Sequence, residues 1–276
     1  MRFTAKDHGR LADILAEAAR REVMPRFRRL ASGDVRAKSA PDDLVTEADE
    51  AAERFIAAAV ETAFPGAEMV GEEGATRDPS LLARLAGADL AVIVDPIDGT
   101  LNYASDLPLF AVMAAVVVRG EIVASVIHDP VVEDSAMALR GEGAFLRLAD
   151  GTTRDLRVCA GAAPAAMTAM MSWRYFPQPQ RDAVPACFPA FANVASLRCC
   201  AHEYRLAAAG KVNVLLYGRL NPWDHAPGVL LHTEAGGHAR LLDGSEYRVD
   251  RPATGLLCAP DAESWLAARE VLRGVG

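Results

Sequence analysis

A chain of 276 residues, 51% of them hydrophobic, has the material for one large core, which excludes extensive disorder. Its formal charge of −8 argues against a nucleic-acid partner, because phosphate backbones demand clustered Lys and Arg. No apolar run reaches the ~20 residues that a membrane helix needs, and five cysteines without a CxxC pair suggest neither a disulfide framework nor a zinc ribbon, so the expected setting is soluble, reducing and cytoplasmic.

Residues 4–30 carry helical periodicity through Leu11, Ile14, Leu15, Ala18, Val23 and Phe27, with Pro25 expected to kink or divide the helix. The small, polar segment 31–43 is expected as loop. Thr46, with Asp49 three residues on, has the form of a capping box opening a helix that reaches about Phe64 and stops at Pro65-Gly66. A short strand over 67–71 ends at Glu72-Glu73. The apolar run 90–94 suits a strand buried on both faces. Segments 110–118 and 121–128 flank Arg119-Gly120 as a hairpin, and strands over 135–139 and 144–148 are joined by Gly141-Glu142-Gly143. The first half is therefore expected as helices on a largely antiparallel sheet. Beyond residue 154, strand-like pieces (156–159, 169–171, 212–216, 256–259) alternate with helical ones (181–193, 202–209, 223–235, 262–272), an α/β texture. The expected class is α+β and α/β together, in two packed subdomains, 1–153 and 154–276.

The chemistry lies in acidic residues at the ends of apolar segments: Glu72 and Glu73 after one strand, Asp95 and Asp98 after the next, and Asp224 far along the chain. Loops at a common sheet edge converge on one crevice, so such residues can meet. Asp95-Pro96-Ile97-Asp98-Gly99-Thr100 is the most informative stretch. Two carboxylates three residues apart, with a rigid proline between, can face one side of a tight turn and hold Mg²⁺, with the Ile97 carbonyl as a further oxygen ligand. Gly99 allows close backbone approach, a helix starting there would offer free N–H groups to phosphate, and the Thr100 hydroxyl can orient a water. Taken singly, each piece has a plainer reading. Asp98 or Asp224 can cap a helix, Glu72-Glu73 can be a solvated turn, and Asp43 with Thr46 can be an ordinary loop-to-helix junction.

Together the stretches Asp43-Leu44-Val45-Thr46-x-x-Asp49, Gly71-Glu72-Glu73, Asp95 to Thr100 with Asn102 nearby, and Trp223-Asp224-x-Ala226-Pro227-Gly228 resemble the inositol monophosphatase family in order and spacing. Gly141-x-Gly143-Ala144-Phe145 is similar to that family's hairpin turn. The resemblance implies the layered α/β/α/β sugar-phosphatase fold, a homodimer, and hydrolysis of a small phosphorylated metabolite by metal-activated water. It also implies two or three Mg²⁺ ions. Residues matching Glu72, Asp95 and the Ile97 carbonyl bind the first, those matching Asp95, Asp98 and Asp224 the second, and a weaker third sits near Glu72. Those matching Asp43 and Thr100 position and activate the water, and the Gly99 and Thr100 N–H groups hold phosphate oxygens.

The substrate end departs from the pattern. Inositol-specific members carry a glutamate a few residues before Trp-Asp, whereas here the chain reads Tyr217-Gly218-Arg219-Leu220-Asn221-Pro222. Arg219 is either an exposed loop residue or a contact for a second negative group. Leu101-Asn102-Tyr103 lacks the lysine associated with adenosine bisphosphate phosphatases of the superfamily. The competing enzyme reading is a histidinol-phosphate or fructose-1,6-bisphosphate phosphatase, and the non-enzyme reading is a phosphometabolite-binding protein. His128, His202 and His225 are expected as structural or surface histidines, and Cys199-Cys200 as packing.

Overall fold

The computed structural model describes residues 3–31, 33–38 and 44–275. Helix α1 (Ala5–Ala18) opens with a capping box between Thr4 and Asp7 and buries Leu11, Leu15 and Ala18. Its last turn widens into a π-helical stretch, Ala19–Val23. The regular helix thus ends ahead of Pro25, whose ring clashes with the preceding turn, and does not run on to residue 30. Strand β1 (Val35–Ala37) pairs antiparallel with β2 (Leu44–Thr46), so part of the segment expected as loop is strand. Three residues are too few to show a period of two. Helix α2 (Glu47–Ala63) has the expected Thr46–Asp49 capping box and stops at Phe64.

Strand β3 (Glu68–Gly71), helices α3 (Glu72–Arg77) and α4 (Leu81–Arg84), strand β4 (Ala91–Asp98) and helix α5 (Thr100–Ala104) follow. A meander of β5 (Ala111–Val118), β6 (Glu121–Asp129), β7 (Asp134–Leu139), β8 (Gly143–Arg147) and β9 (Thr153–Asp155) completes the first sheet. Its order is β3-β4-β5-β6-β7-β8-β9, parallel between β3 and β4 and antiparallel elsewhere. The strand expected over 156–159 is absent. There the chain leaves the sheet edge, with Leu156 N–H donating to Ala144 and Val158 N–H to Ala235.

The remainder comprises β10 (Thr168–Ser172), α6 (Gln180–Ala186), β11 (Asn193–Ala195), α7 (Cys200–Ala208), β12 (Val214–Tyr217), α8 (Pro222–Glu234), β13 (His238–Leu241), β14 (Leu256–Ala259) and α9 (Ala262–Val271). Helix α6 ends well short of residue 193 because Pro185 and Pro189 both deny it backbone donors. The second sheet has the order β11-β10-β12-β14-β13, parallel around β10 and antiparallel around β14.

Alternation along the strands dictates the layers. In β4 and β5, Val92, Val94, Val112 and Val116 face one way and pack under α1 and α2. Ile93, Met113, Ala115 and Val117 face the other way, against Tyr204 and Ala208 of α7 and Ala226 and Leu230 of α8. Those two helices also cover one face of the second sheet through Met170, Leu215, Leu256 and Cys258. Its far face packs on Val184 of α6 and on Trp265 and Ala268 of α9. The layered α/β arrangement is as expected, with helices also on the outer side of the second sheet. The pair α7 and α8 is the shared middle layer, so residues at its ends reach both sheets. No helix among the described residues is long and apolar enough to cross a membrane.

Candidate active site

Strands β3 and β4 run parallel, so their C-terminal ends lie side by side, and Glu72 starts α3 next to Asp95 on β4. The pairing of β4 with β5 slips between Asp95 and Asp98. Pro96 has no N–H for the ladder, and the irregularity turns both carboxylates into one cleft. Asp95 is buried, and its Oδ1 accepts the Ile97 N–H at 3.0 Å. Gly99 sits at φ +89°, and a Cβ there would come within 2.8 Å of the Leu109 carbonyl oxygen, so glycine is required twice over. Asp224 arrives from the first turn of α8. Glu72, Asp95, Ile97, Asp98, Gly99, Thr100, Arg219 and Asp224 all line this cleft. Asp43 lies outside the described residues.

Two residues of the site carry no role in the sequence reading. Asp49 is fully buried, and its Oδ2 is taken by the Thr46 N–H at 2.8 Å and hydroxyl at 2.6 Å. Its Oδ1 is left for the Thr100 hydroxyl, 3.2 Å away, which also lies 2.9 Å from the Ile97 carbonyl. The signal was present: a capping box occupies one carboxylate oxygen and leaves the other. Lys38 puts its Nζ 2.9 Å from Glu72 and 2.5 Å from Glu73. It stands in a segment without periodicity, which hid it. The Cys199-Cys200 pair packs against the core, as expected, and also lines the cleft. The Cys199 Sγ lies 2.9 Å from Asp98 Oδ2, which also accepts the Ala201 N–H at 2.7 Å. Ligand atoms of Asp98, Cys200 and Asp224 all fall within 4.8 Å of one another.

Crowded carboxylates in a buried place resist ionisation. Burial, then the charges of Glu72, Asp98 and Asp224, push the Asp95 carboxyl well above the usual range. Burial, then Glu72 and Asp98, raise Asp224 to about 8, while Arg219 opposes the rise. Burial lifts Asp49 to about 7 against the pull of its Thr46 hydrogen bonds. Burial and Glu72 lift Glu73 to about 7, with Lys38 opposing. Lys38 would be lowered by its own burial, but Glu72 and Glu73 overcome that and hold it charged.

His128, His202 and His225 each have hydrogen-bond partners, and His225 also lines the cleft. His225 is buried, with Nε2 2.8 Å from the Arg219 carbonyl and Nδ1 3.0 Å from the Tyr204 hydroxyl, and burial lowers it to about 3. His202 Nε2 meets the Phe110 carbonyl at 3.1 Å, and His128 Nδ1 meets Ser135 at 3.0 Å.

A profile of the inositol monophosphatase family matches residues 10–273. Over 250 residues, 87% of this chain and 89% of the relative, the sequence is 32% identical to a Nus factor SuhB of Pseudomonas aeruginosa. It is 28% identical over 216 residues, 77% of each, to a fructose-1,6-bisphosphatase/inositol-1-monophosphatase of Thermotoga maritima. In three dimensions it matches an inositol monophosphatase-II of Staphylococcus aureus with a TM-score of 0.81 at 22% identity, covering 98% of this chain and 97% of the other. An IMPase of Thermotoga maritima matches with a TM-score of 0.77 at 26% identity, covering 96% and 97%. The cleft residues lie within the matched span, and the fold is the one these relatives share: the chain belongs to the inositol monophosphatase family.

Proposed function

We propose that the protein hydrolyses small phosphate monoesters with Mg²⁺. The observation that carries this reading is the convergence of Glu72, Asp95, Asp98 and Asp224, from three separated stretches of chain, on one cleft. Four carboxylates and a carbonyl offer oxygen to a hard divalent ion, Cys200 beside them is held as the neutral thiol by burial, and Asp95 is so buried and crowded by like charge that added positive charge would ease its ionisation. Glu72, Asp95 and the Ile97 carbonyl would hold one ion, Asp95, Asp98 and Asp224 a second, and Glu72 a weaker third. Such ions would supply neutralisation of the phosphate dianion and a more acidic water.

The chain's own groups do the rest. The Gly99 and Thr100 N–H groups would hold phosphate oxygens at the start of α5. The Thr100 hydroxyl, placed between Ile97 and Asp49, would accept a hydrogen bond from the attacking water and pass its own proton toward Asp49 Oδ1. Asp49, raised to about 7, is suited to take it. We assign Asp49 this part on its contact with Thr100. We also propose a homodimer, and two packed subdomains, 1–153 and 154–276, each built on one sheet save that β9 (Thr153–Asp155) of the first sheet straddles the boundary. Phosphate release from inositol-1-phosphate, histidinol phosphate, fructose-1,6-bisphosphate and adenosine 3′,5′-bisphosphate, with and without Mg²⁺, tests the reading. We expect turnover of at least one ester that vanishes in chelator. Full activity in chelator would overturn it.

A further inference from the structure

Besides the carboxylates, the same cleft is lined by Arg198, Arg219, Ser172 and Tyr175. Among the described residues, neither Arg198 nor Arg219 forms an ion pair, in a chain whose net charge is −8. Both are placed by built structure. The Arg219 guanidinium lies over the Tyr175 ring, 4.6 Å from its centroid. Its carbonyl is held by His225 at 2.8 Å. The preceding Gly218 presses on Phe176 so closely that a Cβ would come within 2.5 Å of the ring, and its carbonyl accepts the Thr254 hydroxyl at 2.6 Å. Arg198 is a non-glycine residue at φ +55°, a conformation that must be held by its surroundings. They hold it: Glu203 accepts the Leu197 N–H at 2.8 Å, and Asn102 donates to the Leu197 carbonyl at 2.8 Å. Tyr217, which opens the acid-free stretch before Trp223-Asp224, is buried and packs on Tyr204, with ring centroids 5.2 Å apart.

Two guanidiniums without an ion-pair partner, one of them fixed against an aromatic face, suit an anion that offers two oxygens and are wasted on a neutral polyol. They would not be needed to balance the carboxylates, since two bound divalent ions would offset four negative charges. Resting on the phosphatase reading above, we infer that the preferred substrate is a phosphate monoester bearing a second anionic group, phosphate or carboxylate, on its distal end, gripped by Arg219 and Arg198. Either group can offer two oxygens to the planar fork of a guanidinium.

The test compares fructose-1,6-bisphosphate and 3-phosphoglycerate with glycerol-2-phosphate, whose tail is neutral, in wild type, Arg219→Ala, Arg198→Ala and Arg219→Lys. Wild type should favour at least one anionic-tailed ester by tenfold or more in kcat/KM, and the two anionic esters distinguish phosphate from carboxylate. Arg219→Ala should erase on the order of ten- to hundredfold of that preference, mainly through KM, with Arg219→Lys retaining part. Equal losses on neutral- and anionic-tailed esters would mean the arginines serve the cleaved phosphate, and would overturn the inference. Calorimetry of the same esters in Ca²⁺ reads tail selectivity without turnover. Selective binding with no hydrolysis in Mg²⁺ would sustain the inference and sink the phosphatase reading. Unselective binding would sink the inference alone.

Discussion

The acidic and basic sides of the cleft are held in different ways. The acidic side is rooted in regular structure: Glu72 and Asp224 in first helical turns, Asp95 and Asp98 in a strand whose pairing slips between them. The basic side stands on loops, with Arg198 just before α7 and Arg219 between β12 and α8. Chemistry that needs fixed charge a few ångströms apart sits on the rigid scaffold, while selection among substrates sits where sequence can change without disturbing the sheet. Damage to the acidic side should therefore abolish turnover of every ester, and damage to the basic side should redistribute turnover among them.

The largest effect should come from Asp95→Asn. The amide still accepts the Ile97 N–H but loses the charge that would bridge two ions, so activity on all esters should fall on the order of a thousandfold. In chelator the same variant should melt higher than wild type, because it removes the most crowded carboxyl of the cleft. Calorimetric melting and phosphate release check the two halves. Retained activity would detach Asp95 from the chemistry.

Next comes Thr100→Val, which keeps the shape and removes the hydroxyl between Ile97 and Asp49. We expect kcat to drop on the order of a hundredfold with KM little changed, and Thr100→Ser to recover most of it. A change confined to KM would leave Thr100 as a phosphate contact only.

The comparison also explains what was legible in the sequence. Every described member of the expected site lines the cleft: the all-apolar Val92, Ile93 and Val94 mark Asp95 as a strand end, and the family's order and spacing of stretches linked it to the distant acids. Periodicity announced most of the strands and helices, while the layering was implied by the family resemblance. What escaped detection lacks a local signature. Strand β1 is three residues long, and Lys38, just beyond it, finds its partners 34 and 35 positions away. Arg198 reaches the cleft through a left-handed backbone that nothing in Ser196-Leu197-Arg198 announces. Asp49 was visible as a cap, but its second contact depends on the α5 start folding back 51 positions along the chain.

The smallest effect separates the two sides by pH. Burial raises Glu73 to about 7, Asp224 to about 8 and Glu203 to about 7, all above ordinary carboxyl values. A group whose folded value is raised takes up a proton on folding. Its contribution to stability is therefore full below the ordinary value and is lost as pH rises through the folded one. In chelator the protein should thus lose stability steadily between about pH 5 and 8. Bound Mg²⁺ should suppress the share of the metal-binding carboxylates far more than that of Glu203, which is fully buried, tied to the Leu197 N–H, and raised first by that burial and only secondarily by Asp98. Glu203→Gln keeps that hydrogen bond and removes the titration. With Mg²⁺ present, the variant should gain on wild type by about 2 kcal/mol between pH 5 and 7, read from denaturant midpoints at each pH. Parallel curves for the two proteins would place the residual slope elsewhere and leave the loop before α7 supported by the hydrogen bond alone.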